Sequence, residues 1–293
     1  MKKYWISENE KISKSYRKIL NDYLMSMKLA NRSKYTINYR RQLLEKFLQE
    51  CSLPLNELTP EYVLAWLKKH YWHKKEGTIN NYISDLSCFF KFCMEEEYIK
   101  RVLIKNRWRP KMPRPVPKYL DKSEEARVRL AAEKLPLRDR AIIEFLLSSG
   151  CRCCEVYGLN IADVDLASRT ARVVGKGRRI RQVHFSETYA ILLKKYLLTH
   201  PKENPALFLN RYGNRLSIRA IQYTAALLGQ RAGLLRSLSP HCFRHTFATN
   251  LLSKGAELDF IAEELGHKEL NTTRIYANLP SEHITSLYRR YMG

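Results

Sequence analysis

The chain has 293 residues, enough for about two domains and a sizeable buried core. Its 52 lysines and arginines against 29 aspartates and glutamates leave a net charge of +23, which points to a polyanionic partner, nucleic acid foremost. The start, Met1-Lys2-Lys3-Tyr4-Trp5, leads into polar residues with no secretory signal, and no apolar run reaches the roughly 18 residues of a membrane span. A cytoplasmic protein with no membrane partner is therefore expected. The seven cysteines are odd in number and sit mostly in apolar contexts, which suggests reduced thiols.

The first hundred residues read as helices. Apolar positions recur at helical spacing over 13–30, through Tyr16, Ile19, Leu20, Tyr23, Leu24 and Met27. Ser33 can cap a second helix that runs to about Cys51. Thr59-Pro60-Glu61 starts a third, a cap followed by proline in the first turn. A fourth begins near Gly77-Thr78 and passes Leu86, Phe89 and Phe90 to about Tyr98. Residues 1–100 are thus predicted to be a small helical bundle.

Composition then shifts. Residues 101–118 hold seven basic side chains (Arg101, Lys105, Arg107, Arg109, Lys111, Arg114, Lys118), no acidic one, and four prolines. Proline at that density favours an extended segment, so an interdomain linker lying along DNA phosphates is expected.

Residues 119–293 are predicted to form the second domain. Helical patterns occupy 122–134 and 137–148. Two alternating segments at 170–174 and 181–185 flank Gly175-Lys176-Gly177-Arg178-Arg179, a β-hairpin with a basic tip. Helices return at 187–199, 217–232, 239–254, 257–265, 270–277 and 281–291. The fold class is mainly α with a small β-sheet (α+β). Residues 1–118 carry a net +13 and the remainder +10, the distribution of a clamp that grips DNA from two sides.

Six residues of the second domain suit phosphodiester chemistry. Arg152, after Gly150 and at a predicted helix start, offers a bidentate fork for phosphate; with Glu155 three residues on, it could equally be a helix ion pair. Lys176 sits between glycines at the hairpin tip, where it could reach a DNA groove or protonate a leaving oxygen, or be only a basic turn with Arg178 and Arg179. His241 and Arg244 share a helix face at i and i+3; His245 points about 100° away and reads as structural. His267 follows Gly266 at a helix end, and Tyr276 lies nine residues further on. Cys151, Cys153 and Cys154 surround Arg152 but no second Cys-x-x-Cys pairs with them, so small core residues are expected and no metal.

In order and spacing, Arg152, Lys176, His241-x-x-Arg244, His267 and Tyr276 resemble the catalytic set of the tyrosine recombinases, the phage-integrase family. Gly150-x-Arg152-x-x-Glu155, Gly175-Lys176-Gly177, Arg244-His245-x-Phe247-Ala248-Thr249 and Leu265-Gly266-His267 match as well, and the likeness covers nearly the whole chain. The length is similar to compact Xer-like and transposon-encoded members. The resemblance implies a SAM-like core-binding domain followed by a mixed α/β domain of the DNA breaking-rejoining fold, and a site-specific recombinase acting in integration, excision, transposition or dimer resolution. It implies Tyr276 as nucleophile through a 3′-phosphotyrosyl intermediate, no cofactor, ATP or metal, and double-stranded DNA with paired inverted half-sites. It also implies a homotetramer, or a heterotetramer with a paralogue, joined by the C-terminal tail. Type IB topoisomerases share the chemistry without strand exchange; the compact size and N-terminal bundle argue against them. An accessory DNA-binding protein would lack a catalytic residue, and none is missing. The cysteines flanking Arg152 depart from the family pattern and are expected to point into the core.

Overall fold

The structure, a computed structural model, describes residues 3–112, 118–175, 177–201, 203–266 and 273. It divides into two compact units, Met1–Arg114 and Pro115–Gly293.

The first unit holds four helices, α1 (Lys14–Leu29), α2 (Lys34–Glu50), α3 (Pro60–Tyr71) and α4 (Glu76–Glu95). Side-chain oxygens of Ser13, Ser33 and Thr59 accept the N–H groups of Tyr16, Thr36 and Tyr62, which fixes three of the starts. α4 stops before the predicted Tyr98 because Glu97 turns left-handed, with φ at 59°. The apolar stripes meet in a core built on Leu20, Leu24, Phe47, Leu67, Leu86 and Phe89, where Phe47 packs edge-on against Trp66 and Phe90.

The basic stretch after α4 is only partly as expected. Leu103 and Ile104 belong to this same core, Trp108 packs against it, and Asn106–Trp108 forms a 3-10 turn. Its apolar residues, interleaved with the arginines and lysines, anchor the start of the segment to the first unit; average composition hides them.

The second unit contains α5 (Lys122–Ala132), α6 (Leu137–Ser149), α7 (Cys153–Gly158), β1 (Val164–Asp165), β2 (Thr170–Val174), β3 (Ile180–His184), α8 (Glu187–Leu197), α9 (Ile218–Arg231), α10 (Pro240–Ser253) and α11 (Leu258–Leu265). A capping box of Asp121 and Glu124 starts α5. α6 is apolar on nearly every side (Ala141, Ile142, Ile143, Phe145, Leu146, Leu147 are buried) and is the central helix, in contact with α8, α9 and α10. The antiparallel sheet runs β1-β2-β3 with Ala171 opposite Val183 and Val173 opposite Arg181. The hairpin matches the alternation; β1, at two residues, is too short to show a period. The helices expected at 270–277, apart from Thr273, and at 281–291 lie outside the described residues. Among the described residues no helix is long and apolar enough to cross a membrane.

Candidate active site

The site is built around the end of α6. Gly150 caps that helix at φ +61°, and a Cβ on it would lie 2.5 Å from Phe247 Cδ1 of α10, so both the turn and the close approach require glycine. Arg152 follows and caps the six-residue α7. Glu155 accepts the Arg152 backbone N–H at 2.8 Å and its Nη1–H at 3.0 Å. The ion pair that the spacing allowed is therefore present, and it fixes the arginine side chain, which stays 26% exposed.

Glu155 is fully buried and has a second, stronger partner. Arg181 of β3 donates Nη1–H and Nη2–H to its two carboxylate oxygens at 2.7 and 3.0 Å, and Nε–H to the carbonyl of Glu264 at 3.2 Å. Burial disfavours the Glu155 carboxylate, but hydrogen bonds from Arg181 and the Arg152 amide, with both guanidinium charges, outweigh it and hold its pKa below the usual range.

Arg244 is buried within α10, at 4% exposure. It donates Nη1–H to the carbonyl of Gly150 at 2.8 Å and Nη2–H to that of Leu265 at 2.7 Å, joining the ends of α6 and α11. His241, one turn earlier, is exposed at the rim. Desolvation, then the positive charges of Arg244 and Arg152, push its pKa below the usual histidine value. Arg152, His241 and Arg244 thus share one electrostatic neighbourhood. Beside His241 opens a pocket walled by Cys153, Tyr223, Leu238 and Pro240. His245 is half-buried, its pKa lowered by desolvation and by His241 and Arg244.

Lys176, His267 and Tyr276 lie outside the described residues, as does Arg114. The hairpin flanking Lys176 is described: Gly175 N–H donates to the Arg179 carbonyl at 2.7 Å, and Gly177 and Arg178 take positive φ. Arg178, Arg179, Arg107 and Lys111 are exposed. Other basic residues of the 101–118 stretch have protein partners: Arg101 donates to the carbonyls of Asn56 and Glu57, Lys105 pairs with Glu61, and Arg109 donates to Asn80 and Ser84 of α4.

The three cysteines around Arg152 separate. Cys151 is buried and its thiol pushed up to about 12 by desolvation; Cys153 is partly buried and pushed up to about 11 by the same cause. Cys154 is exposed, which corrects the expectation that all three enter the core: the single turn of α7 carries it to the outer side. Among the described residues no His, Cys, Asp or Glu cluster could hold a metal ion.

Arg181 was not singled out by its sequence, where it is one of several arginines in a basic hairpin. The available signal is its phase: it alternates with the buried Val183 and Phe185, so it faces inward.

An all-helical unit is thus followed by a mostly helical one in which arginine and histidine side chains gather at a helix end, groups able to bind a phosphate. Residues 118–283 match the model of the phage integrase family, and residues 20–97 match the phage integrase N-terminal SAM-like domain. The chain belongs to the phage integrase family and is a tyrosine site-specific recombinase. It is similar to tyrosine recombinase XerC of Actinobacillus succinogenes, 36% identical over 269 residues that cover 87% of this chain and 90% of that protein. XerC of Leptospira interrogans is 32% identical, covering 96% and 94%. Among solved structures, XerH recombinase bound to a palindromic difH substrate has the same fold, with TM-score 0.75 at 22% identity over 98% of this chain and 92% of that one.

Proposed function

We propose that Tyr276 attacks a scissile phosphate of double-stranded DNA, forming a 3′-phosphotyrosyl bond and releasing a 5′-hydroxyl. Arg152 and Arg244 offset the charge that builds on the non-bridging oxygens in the transition state. Lys176 protonates the leaving 5′ oxygen, and His241 and His267 position the phosphate. His241, whose pKa desolvation and then the charges of Arg244 and Arg152 push below the usual histidine value, can also accept the tyrosine proton. The 5′-hydroxyl of a partner strand then attacks the phosphotyrosine. One phosphodiester is made for each one broken, so no external energy source enters.

The observation that supports this reading is the convergence of Arg152, His241 and Arg244 near the end of α6, two fixed guanidiniums beside an imidazole whose pKa is depressed by desolvation and then by their charges. Arg107, Lys111, Arg178 and Arg179 would meet backbone phosphates, and Arg101, Lys105 and Arg109 would do so by exchanging their present partners. The substrate is a duplex with paired inverted half-sites, as the kinship with Xer recombinases suggests, and four protomers act on two duplexes. The N-terminal unit, the basic segment after it and the C-terminal unit serve as core-binding domain, linker and catalytic domain.

The test is cleavage of a nicked suicide duplex, read as a covalent protein–DNA adduct on a denaturing gel. Wild type should form the adduct without added metal, and Tyr276→Phe should bind the same duplex and form none. An adduct with Tyr276→Phe would remove the tyrosine from its role.

A further inference from the structure

Arg181 stands outside the six residues assigned above, yet it touches several segments that carry them. Its fork holds Glu155, which holds Arg152. Its Nε–H holds the carbonyl of Glu264. Its stem lies against Gly266, where a Cβ would come within 2.8 Å of Arg181 Cδ and 3.0 Å of Nε, at a backbone φ of +63°. Its head lies beside Gly175, where a Cβ would sit 3.2 Å from Glu155 Oε1 and 3.6 Å from Arg181 Nη1. In the sequence, Gly175 precedes Lys176 and Gly266 precedes His267.

We infer that Arg181 is a positioning residue for strand cleavage: it orients Arg152 through Glu155, and its packing sets the backbone at Gly175 and Gly266, from which Lys176 and His267 follow. This rests on the reading that Arg152, Lys176 and His267 act on the phosphate. Only a planar, permanently charged fork can hold both carboxylate oxygens while a third N–H reaches a carbonyl; lysine is a single point of charge. Gly266 is the complement of that side chain, because a Cβ there would displace it, whereas a Cβ at Gly175 would press on Glu155 Oε1, the oxygen that Arg181 holds. A role limited to neutralising a buried carboxylate would need the charge and not the fork.

Arg181→Lys and the double variant Arg181→Met/Glu155→Gln separate the two. The double variant leaves no unpaired buried charge, so it should fold. Both should bind the duplex within about threefold of wild type and form adduct in single turnover about 100-fold more slowly, the scale of a 1 Å misplacement. In the free protein, amide hydrogen exchange at residues 173–175 and 264–266 should accelerate together in both variants. Wild-type cleavage by Arg181→Lys, or faster exchange confined to the hairpin, would overturn the proposal. If Tyr276→Phe still forms adduct in the same assay, the catalytic reading fails instead, and the exchange at the two glycine segments still decides whether Arg181 ties them.

Discussion

Arg244 donates a guanidinium N–H to the carbonyl oxygen of Gly150 at 2.8 Å, so the arginine assigned to the phosphate is also the strut that holds the end of α6 against α10. The strut and the proposed phosphate ligand are the same side chain, so on that proposal the position of α6 is part of the site.

Gly150→Ala is the direct test of that coupling. Alanine at φ +61° is strained, and its Cβ would meet Phe247 at 2.5 Å. A loss of about 2–4 kcal/mol is expected from backbone strain and overpacking together, measured by urea denaturation, along with slower adduct formation at saturating DNA. Unchanged stability would show that α10 can move aside.

Glu155 carries the buried end of two ion pairs. Glu155→Ala should cost about 3–5 kcal/mol, because it strands the partly buried Arg181 beside an empty site. The linkage has a definite sign. The folded pKa is depressed, so the stabilisation is present above the unfolded value of about 4.3 and is lost as pH falls through the folded one. The acid-side decline of wild-type stability should flatten in Glu155→Gln, as followed by denaturant titration from pH 6 downwards.

His241 and His245 run in the opposite chemical sense. Their folded pKa values are depressed by desolvation and positive neighbours, so the unfolded chain takes up protons first as pH falls below about 6.5. Their neutral forms favour the fold above that value, and this contribution is lost as acidity rises. In an NMR titration the His241 ring should titrate below an ordinary histidine, move up in Arg152→Gln, and move up again when a duplex phosphate is bound. An ordinary, unmoved titration would separate His241 from the two arginines.

Thr246 ties the start of the second unit to α10: its hydroxyl accepts the Leu120 N–H and donates to the Cys242 carbonyl, both at 2.9 Å, and it is fully buried. Thr246→Val conserves shape and leaves the buried Leu120 donor unsatisfied, so a loss of about 1–3 kcal/mol is expected. Thr246→Ser should recover most of it in the same thermal or urea melt.

Several of these features are written locally in the sequence. Helix starts at Ser13, Ser33 and Thr59 are local events, decided by a side chain and an amide three residues away. The β2–β3 hairpin is likewise local, since its alternation and turn glycines lie within about fifteen residues. The bridge between Asn160 and Ala206 is not, because pairing across a long stretch of chain has no nearby signature, and the two residues of β1 are too few to show a period. The basic run after α4 was read by its charge, whereas Leu103 and Ile104 decide where it lies.

The sequence by itself determined the family, the helical character and which residue types could handle a phosphate, because each depends on residue identity and spacing along the chain. Tertiary structure decided which charges are partnered. Arg181 differs from Arg178 and Arg179 only in facing inward, and burial turns it from surface charge into the partner of Glu155. Arg244 likewise became a strut once burial required its N–H groups to find acceptors, and Gly150 and Leu265 supply them across the fold.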